Sequence, residues 1–229
     1  AVKGLAYTDT GHARHTLDLY HAPVQTPPKA LRPVVFYIHG GGWEGGDASM
    51  VDSGGYEGMA GDGNRWSKPS FFVSEGYVFV STNYRLLRHG SWKGKMDASV
   101  DVRIGTMAED CAKAMRWVHD HAAEYGGDGN SLIVTGHSAG AQIAALLCTD
   151  ARLLQREGLE LGSVVKACIP VDGDTYDVPA VIAAGSRHDT KFGDPAEQRE
   201  LSAAIHARAA AQQGGRCPIP PFLALHIFG

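Results

Sequence analysis

Apolar residues are concentrated in short runs that are separated by longer polar or mixed segments. Several of these runs are continuous and do not alternate with polar residues, which is typical of parallel strands covered on both faces of a sheet. We predict strands over seven runs, at residues 15–20, 34–38, 77–82, 132–135, 164–171, 178–183 and 222–227.

Segments with helical periodicity lie between the predicted strands. The clearest covers residues 102–125, where Ile104, Met107 and Cys111 recur at steps of three and four positions. Gly126 follows it directly, and glycine favours the left-handed conformation in which helices commonly end. The alternation of strands and helices predicts an α/β fold with a doubly wound, mostly parallel sheet.

A chain of 229 residues has the size of one such domain, so we treat residues 1–229 as a single unit. Two stretches have few apolar anchors: residues 45–64 are rich in glycine, and residues 89–99 are polar with mixed charge. Both are expected at the carboxyl edge of the sheet, where ligands bind. They are either a lid over the site or surface loops without a role.

A pentapeptide of the form G-x-S-x-G, residues 136–140, joins a predicted strand to a helical segment. In this setting a sharp turn exposes the hydroxyl of Ser138, and the flanking glycines allow the strand and the helix to cross closely. The first amides of the helix point toward negative charge that forms beside the serine. The strand–turn–helix context therefore makes Ser138 a candidate nucleophile.

A second motif, HGGGW at residues 39–43, follows the predicted strand at 34–38. Acyl transfer places negative charge on the carbonyl oxygen of the substrate, and the loss of one donor to that oxygen typically costs about 2.7–4 kcal/mol. Backbone amides in a run of glycines reach such an oxygen without obstruction by side chains. The alternative is a flexible glycine-rich turn, which the pairing with the serine motif disfavours.

With these two motifs the chain resembles the α/β-hydrolase serine esterases, in particular the hormone-sensitive-lipase-like and feruloyl-esterase-like branches. Kynurenine formamidases share a similar pair of motifs. The resemblance runs from about Leu17 to the last residue. It implies that Ser138 is the nucleophile and that the backbone amides of Gly41, Gly42 and Ala139 form the oxyanion hole.

The resemblance also implies supporting roles around the glycine motif. His39 would brace the loop, Trp43 would line the rim of the site, and Tyr84 would pack beneath the loop. A core aromatic residue with a locally satisfied hydroxyl explains Tyr84 equally well. The family needs neither a metal nor a cofactor, and we expect none here.

A serine nucleophile usually needs a histidine base that is oriented by a carboxylate, in the chain order Ser…Asp/Glu…His in this fold. The resemblance places the acid after the strand at 222–227 and the histidine after a further strand. Because the sequence stops at Gly229, we expect both partners beyond it and a fold truncated after that strand.

An internal triad is the alternative to partners beyond Gly229. The chain order allows an acid and a base chosen from Asp172, Asp174, Asp177, His188 and His206. The aspartates could follow a strand as the acid, but His188 lies in a polar loop and His206 on an alanine-rich helix, and neither histidine follows a further strand as the family pattern requires. His226 ends a predicted strand, but no acid precedes it in a suitable loop, so it fits a structural role.

Composition and charge exclude several other classes of protein. The formal net charge of −4 offers no basic surface for nucleic acid or an anionic membrane, and no apolar run approaches the ~18 residues of a membrane span. The cysteines lack the spacing of a metal or disulfide framework, and we expect Cys111, Cys148 and Cys168 to be buried while Cys217 could be exposed. The compartment stays open between the cytoplasm and an exported location after removal of a leader.

We therefore predict a serine carboxylic-ester hydrolase that acts on short-chain or aryl esters, which are small molecules, through an acyl-enzyme on Ser138. An arylformamidase-type amidase would use the same machinery. A hydrolase-fold binding module without turnover is the alternative from another class. If the 229 residues are the whole polypeptide, the unpaired edge of the sheet favours a homodimer.

Overall fold

The computed structural model describes residues 1–24, 30–52, 67–87, 102–186, 189–212 and 218–226. These residues form a six-stranded sheet in the order β1-β2-β4-β3-β5-β6. Its strands are β1 (Val2–Ala6), β2 (Thr16–Tyr20), β3 (Arg32–Ile38), β4 (Val78–Thr82), β5 (Gly127–His137) and β6 (Val165–Val171). β1 and β2 run antiparallel to their neighbours, whereas β4, β3, β5 and β6 are mutually parallel. The predicted α/β fold with a mostly parallel sheet is confirmed.

Helices connect the strands and pack on the sheet. They are α1 (Lys68–Ser74), α2 (Ile104–His121), α3 (Ala139–Thr149), α4 (Ala151–Arg156), α5 (Leu161–Val164), α6 (Val178–Ala183), α7 (Pro195–Glu200) and α8 (Ala203–Gln212). The predicted helix at 102–125 is α2 followed by a 3-10 turn at Ala122–Tyr125, and Gly126 ends it with φ 77°. Among the described helices, none is long and apolar enough to cross a membrane.

Strand β3 shows why the apolar runs are continuous. Val34, Phe36 and Ile38 are fully buried in the larger core cluster, which includes residues of α2 and α3. The residues between them, Val35 and Tyr37, are buried in a second cluster with residues of β4 and α1. Both faces of the strand are covered, so both sets of alternating positions are apolar.

Residues 178–183 form α6, and the prediction of a strand there is wrong. The side chain of Asp177 accepts a hydrogen bond from the amide of Ala180 and caps the helix, and a proline occupies its first turn. Within α6 only Val178 is fully buried. A short apolar run does not distinguish a strand from a helix by periodicity, and here the capping residues decide.

The predicted strand at 222–227 is only partly formed. Phe222 and Leu225 make isolated parallel bridges with Cys168 and Val171 of β6, and residue 227 lies outside the described ranges. Phe222, Leu223 and Leu225 are 41%, 56% and 44% exposed. Residues 222–225 therefore form an apolar edge strip beside β6.

Strands β1 and β5 and the two stretches with few apolar residues differ from the predictions in extent or in coverage. β1 has no counterpart among the predicted strands, because it is an exposed or half-buried edge strand without an apolar run. The strand predicted at 132–135 extends over the whole of β5, since Gly127 and Asp128 also pair with β3. Of the two stretches interpreted as a lid or surface loops, residues 89–99 lie outside the described residues, and of residues 45–64 only 45–52 are described.

The cysteine predictions are confirmed where they are tested. Cys111, Cys148 and Cys168 are buried free thiols. Cys217 lies outside the described residues.

Candidate active site

Ser138 lies between β5 and α3 with φ 53° and ψ −118°. A positive φ strains a non-glycine residue by roughly 1–3 kcal/mol, so the surrounding structure must hold it in place. Part of that hold is a hydrogen bond from the amide of Ser138 to the carbonyl of Val171 in β6, at 3.0 Å. The residue is half-buried, and the predicted sharp strand–turn–helix geometry is present at the serine.

The two glycine-containing motifs are in direct contact. A Cβ atom built on Gly40 would lie 3.3 Å from the Cβ of Ser138 and 2.8 Å from the carbonyl oxygen of His137. On the other side, a Cβ built on Gly140 would overlap the carbonyl oxygen of Ile38 at the end of β3. The glycine loop (residues 39–43) and the serine turn therefore pack backbone against backbone.

Three backbone amides at this contact donate to no group among the described residues. Gly41 and Gly42 have φ values of 123° and 62°, a region that glycine adopts readily. In the described part of the chain no group accepts a hydrogen bond from the amide of Gly41, Gly42 or Ala139, the first residue of α3. These amides are thus available to an anionic oxygen.

Carbonyl groups of the same loop are, in contrast, occupied. The hydroxyl of Tyr84 donates to the carbonyl of His39 at 2.7 Å, and the two rings stack with centroids 4.4 Å apart. The Nδ1 atom of His39 lies 2.8 Å from the carbonyl of Gly40. Both residues therefore contact the backbone of the glycine loop, as the resemblance implied.

The next two carbonyls are held from other directions. The amides of Glu44 and Gly45 donate to the carbonyl of Gly41 at 3.1 and 3.0 Å. The carbonyl of Gly42 accepts a hydrogen bond from the Nζ atom of Lys191 at 3.0 Å. With their carbonyls fixed, successive peptide groups of the loop have defined orientations.

His39 is neutral and has one tautomer in this arrangement. Burial, together with the nearby cation of Arg14, lowers the pKa of His39 to about 4. Its Nε2 atom faces the Arg14 guanidinium at 3.1 Å and must accept, so its Nδ1 atom carries the proton that is donated to Gly40. A chain of hydrogen bonds thus runs from the Arg14 cation through His39 to the carbonyl of Gly40. That carbonyl and the amide of Gly41 belong to the same peptide group.

Arg14 is the hub of this support. Besides His39, its guanidinium donates to the carbonyl of Tyr84 at 2.6 Å, to the carbonyl of Gly46 at 3.0 Å and to the side-chain oxygen of Asn83 at 3.1 Å. The same Asn83 oxygen accepts from the amide of Ala48 at 2.9 Å. One half-buried cation therefore joins the end of β4, the glycine loop and the segment that follows it.

The depressed pKa of His39 predicts a stability loss in acid. Because the folded pKa of about 4 is below the ordinary value of 6.5, the unfolded state takes up the proton first as the pH falls. Neutral His39 contributes about 3 kcal/mol to the free energy of unfolding above pH 6.5, and this contribution is lost as the pH falls from there toward 4. Urea unfolding at pH 7.5, 5.5 and 4.5 measures it. His39→Gln has no titrating ring there, and a pH slope as steep as that of the unmodified protein would contradict the prediction.

Trp43 is not at the rim of the site, as the resemblance implied, but buried. It is 3% exposed, and its Nε1 atom donates to the side-chain oxygen of Gln142 in α3 at 3.3 Å. The ring of Phe192 packs against it edge-on at 5.2 Å. The residue takes part in the packing between the loop, α3 and the segment around Phe192.

The structure does not assemble the internal triad from its described members. Asp172 lies 3.7 Å from the Nε2 atom of His137, and Asp177 caps α6 and pairs with Arg208 at 2.8 Å. His206 instead contacts the carbonyl of Glu200 at 2.8 Å. Asp174 and His226 are exposed, and His188 lies outside the described residues.

Asp150, Glu200 and His206 place three ligand-type atoms within 4.8 Å of one another, beyond the end of α3. However, the guanidinium of Arg152 donates to both oxygens of Asp150 at 2.7 and 2.8 Å and to Glu200 at 2.6 Å. This cation already neutralises the carboxylates, so we assign no metal to the cluster.

Comparison with known protein families shows which family the chain belongs to. The BD-FAE family model matches residues 17–184, which include both the glycine loop and the serine turn. The chain belongs to the BD-FAE family. The resemblance to α/β-hydrolase esterases that the two motifs indicated is confirmed. Arg14 and Lys191, which support the glycine loop, lie just outside the range matched to the BD-FAE family.

Curated relatives of this BD-FAE family member are longer proteins. LipM of Mycobacterium tuberculosis, named as a probable carboxylic ester hydrolase, is 30% identical over 176 residues, which are 76% of this chain and 34% of LipM. Lipase 1 of Geotrichum candidum is 32% identical over 124 residues, or 54% of this chain and 20% of the lipase. The chain thus spans about a third of LipM and a fifth of the lipase.

Solved structures show the same fold at low identity. Esterase B of Lactobacillus rhamnosis superposes with a TM-score of 0.69 at 22% identity, covering 97% of this chain and 64% of that one. The butyrate-bound esterase of Thermogutta terrifontis gives a TM-score of 0.63 at 21% identity, covering 98% of this chain and 70% of that one. These matches establish the α/β-hydrolase fold for this member of the BD-FAE family.

Proposed function

We propose that the protein is a serine carboxylic-ester hydrolase that forms an acyl-enzyme on Ser138. The observation that carries the proposal is the contact between a strained, half-buried serine and a loop with unoccupied Gly41 and Gly42 amides. The esterase names of the relatives agree with this chemistry. A nucleophile beside preformed anion donors is the arrangement that acyl transfer requires.

The reaction proceeds in two half-reactions. A general base removes the hydroxyl proton of Ser138 as its oxygen attacks the ester carbonyl, and the amides of Gly41, Gly42 and Ala139 bind the resulting oxyanion. Collapse of the intermediate expels the alcohol, which takes up the proton, and leaves the acyl group on Ser138. Water, activated by the same base, then attacks the acyl-enzyme, releasing the acid and the free serine.

We place the general base and its carboxylate partner outside the described residues. His206 is engaged with Glu200 and lies near Asp150, 3.9 Å away, beyond the far end of the helix that Ser138 begins. His226 is exposed next to the edge strip. In the chain order of this fold the acid follows the strand beside β6, and residues 222–225 take that place.

The proposed substrates are short-chain or aryl esters. The Thermogutta terrifontis esterase has been solved with butyrate and with propionate bound, and Esterase B of Lactobacillus rhamnosis with a tributyrin phosphonate. These are short acyl groups on proteins that share the fold, and we extend that preference to this chain. Arylformamidase-type amide hydrolysis uses the same machinery. Rates with p-nitrophenyl acetate and N-formylkynurenine distinguish the two activities.

Intact mass after incubation with a fluorophosphonate tests the proposal directly. We expect one stoichiometric adduct, mapped by peptide mass spectrometry to Ser138, together with hydrolysis of p-nitrophenyl acetate. Faster turnover of N-formylkynurenine would replace the esterase with the amidase. Absence of both adduct and turnover in the full-length protein would contradict the proposal and favour a binding module.

We also propose that a polypeptide of these 229 residues forms a homodimer through the edge strip. Leu223 and Leu225 are among its exposed side chains, and an unpaired apolar edge is a template for pairing with a second copy. Size-exclusion chromatography with light scattering is expected to give twice the chain mass. Leu223→Lys is expected to shift the protein toward monomer, and a monodisperse monomer without that substitution would contradict the proposal.

A further inference from the structure

Lys191 reaches the glycine loop from a distant part of the chain. It ends the 3-10 turn at Asp189–Lys191, and 149 positions separate it from Gly42, whose carbonyl it binds at 3.0 Å. Its Nζ atom is also 3.2 Å from a carboxylate oxygen of Glu44 and 5.8 Å from the centre of the Trp43 ring. The side chain is only 17% exposed, so its ammonium group is committed to the loop.

Neighbouring residues reinforce this contact. Phe192 packs edge-on against Trp43, and Gln142 joins the Nε1 atom of Trp43 to the carbonyl of Leu201, which it binds at 3.0 Å. The chain from Lys191 to Leu201 thus contacts the glycine loop both directly and through α3. This segment forms one wall against which the loop is packed.

The loop needs such a contact at Gly42. The peptide before Gly42 is held through the carbonyl of Gly41, which accepts from the amides of Glu44 and Gly45. The peptide after Gly42 is held at its carbonyl by Lys191, between two residues with φ near 60°, Gly42 at 62° and Trp43 at 63°. The Gly42 amide belongs to the preceding peptide, so its direction also depends on the position of Gly42 itself. A glycine next to a strained tryptophan has several accessible conformations, and release of its carbonyl would let Gly42 shift.

We propose that Lys191 is a positioning residue for the oxyanion hole. It anchors the carbonyl of Gly42 and thereby keeps Gly42 and its amide in place, without touching the substrate. The inference rests on the proposed function, because the oxyanion hole has meaning only for acyl transfer. It accounts for a lysine that would otherwise have no role in the site.

Lys191→Met tests the proposal because methionine keeps the apolar stem over Trp43 and removes the ammonium group. Hydrogen exchange is followed at the amides of Glu44, Gly45 and Leu87, which are bonded to the carbonyls of Gly41 and Trp43. We expect about tenfold faster exchange at these amides in the variant. We expect kcat to fall about tenfold with KM within about twofold, and the Tm to stay within about 2 °C.

Two further variants complete the test. Lys191→Arg retains donors that reach the Gly42 carbonyl and is expected to restore exchange protection and most of kcat. Lys166→Met is the matched control, because Lys166 also donates to a backbone carbonyl, that of Ser163 at 2.6 Å, away from the glycine loop. It is expected to leave exchange in the loop and both kinetic constants unchanged.

Unchanged exchange and kcat in Lys191→Met would overturn the proposal, as would an increase in KM alone, which would mean that Lys191 binds substrate. A Tm so low that unfolding at the assay temperature explains the whole loss of kcat would also overturn it, since Lys191 would then only stabilise the fold. If the unmodified protein hydrolysed no ester, the proposed function would fail. The exchange rates would then still decide whether Lys191 holds the loop.

Discussion

The Ser138→Ala variant is expected to lose ester hydrolysis, with kcat for p-nitrophenyl acetate falling by about 10⁴-fold or more. Alanine removes the only atom that forms the acyl bond and leaves the Gly41 and Gly42 amides in place. KM is expected to change little, because the substitution leaves the rest of the site unchanged. Steady-state kinetics on the protein that labels with fluorophosphonate measures the loss.

The fold of this variant is expected to be intact. The Ser138 amide keeps its bond to Val171, and alanine differs from serine only by the hydroxyl oxygen. Ser74→Ala is the matched control, since that hydroxyl is bonded to the Phe71 carbonyl at 2.8 Å on α1 and lies outside the proposed mechanism. Undiminished turnover in Ser138→Ala would move the reaction to another site.

The Gly140→Ala variant is expected to lose about 3 kcal/mol or more of unfolding free energy. Its Cβ atom would overlap the carbonyl oxygen of Ile38 and lie 2.5 Å from that of His39, and neither backbone group can turn away as a side chain could. Helix propensity alone favours alanine over glycine by about 1 kcal/mol, so the clash decides the sign. Urea denaturation followed by circular dichroism measures the change.

Gly105→Ala provides the comparison for this substitution. Gly105 is also in a helix, α2, and its added Cβ would meet only a methyl group of Leu201 at 3.9 Å. We expect its stability to be unchanged or slightly increased, by up to about 0.5 kcal/mol. Equal stability of the two variants would contradict the close packing of α3 on the end of β3.

Local patterns predicted the central strands of the sheet correctly, but they failed for the run at 178–183 and held only in part for the run at 222–227. The run at 34–38 is apolar at every position because β3 is buried on both faces. The run at 178–183, which follows β6 in the chain, is also apolar but forms α6. Asp177 caps this helix at its N-terminus. Burial on both faces produces an apolar run that is easily recognised, whereas the choice between helix and strand in a short run depends on what packs beside it.

The candidate site divides in the same way. Ser138 and the glycines at 41 and 42 were predicted because a sharp turn and a side-chain-free loop are requirements of a few adjacent residues. Trp43 belongs to the same motif, yet its place was predicted wrongly. Gln142 and Phe192 bury it, and their positions relative to the loop arise only on folding.

By itself, the sequence determined the α/β class, the serine turn and the glycine loop, because each depends on contiguous residues whose conformational needs are local. Only the tertiary structure decided how the loop is held. Arg14 binds His39 across 25 positions and Lys191 binds Gly42 across 149. No spacing in the chain encodes such pairs, since their contact depends on how the strands and helices pack against one another.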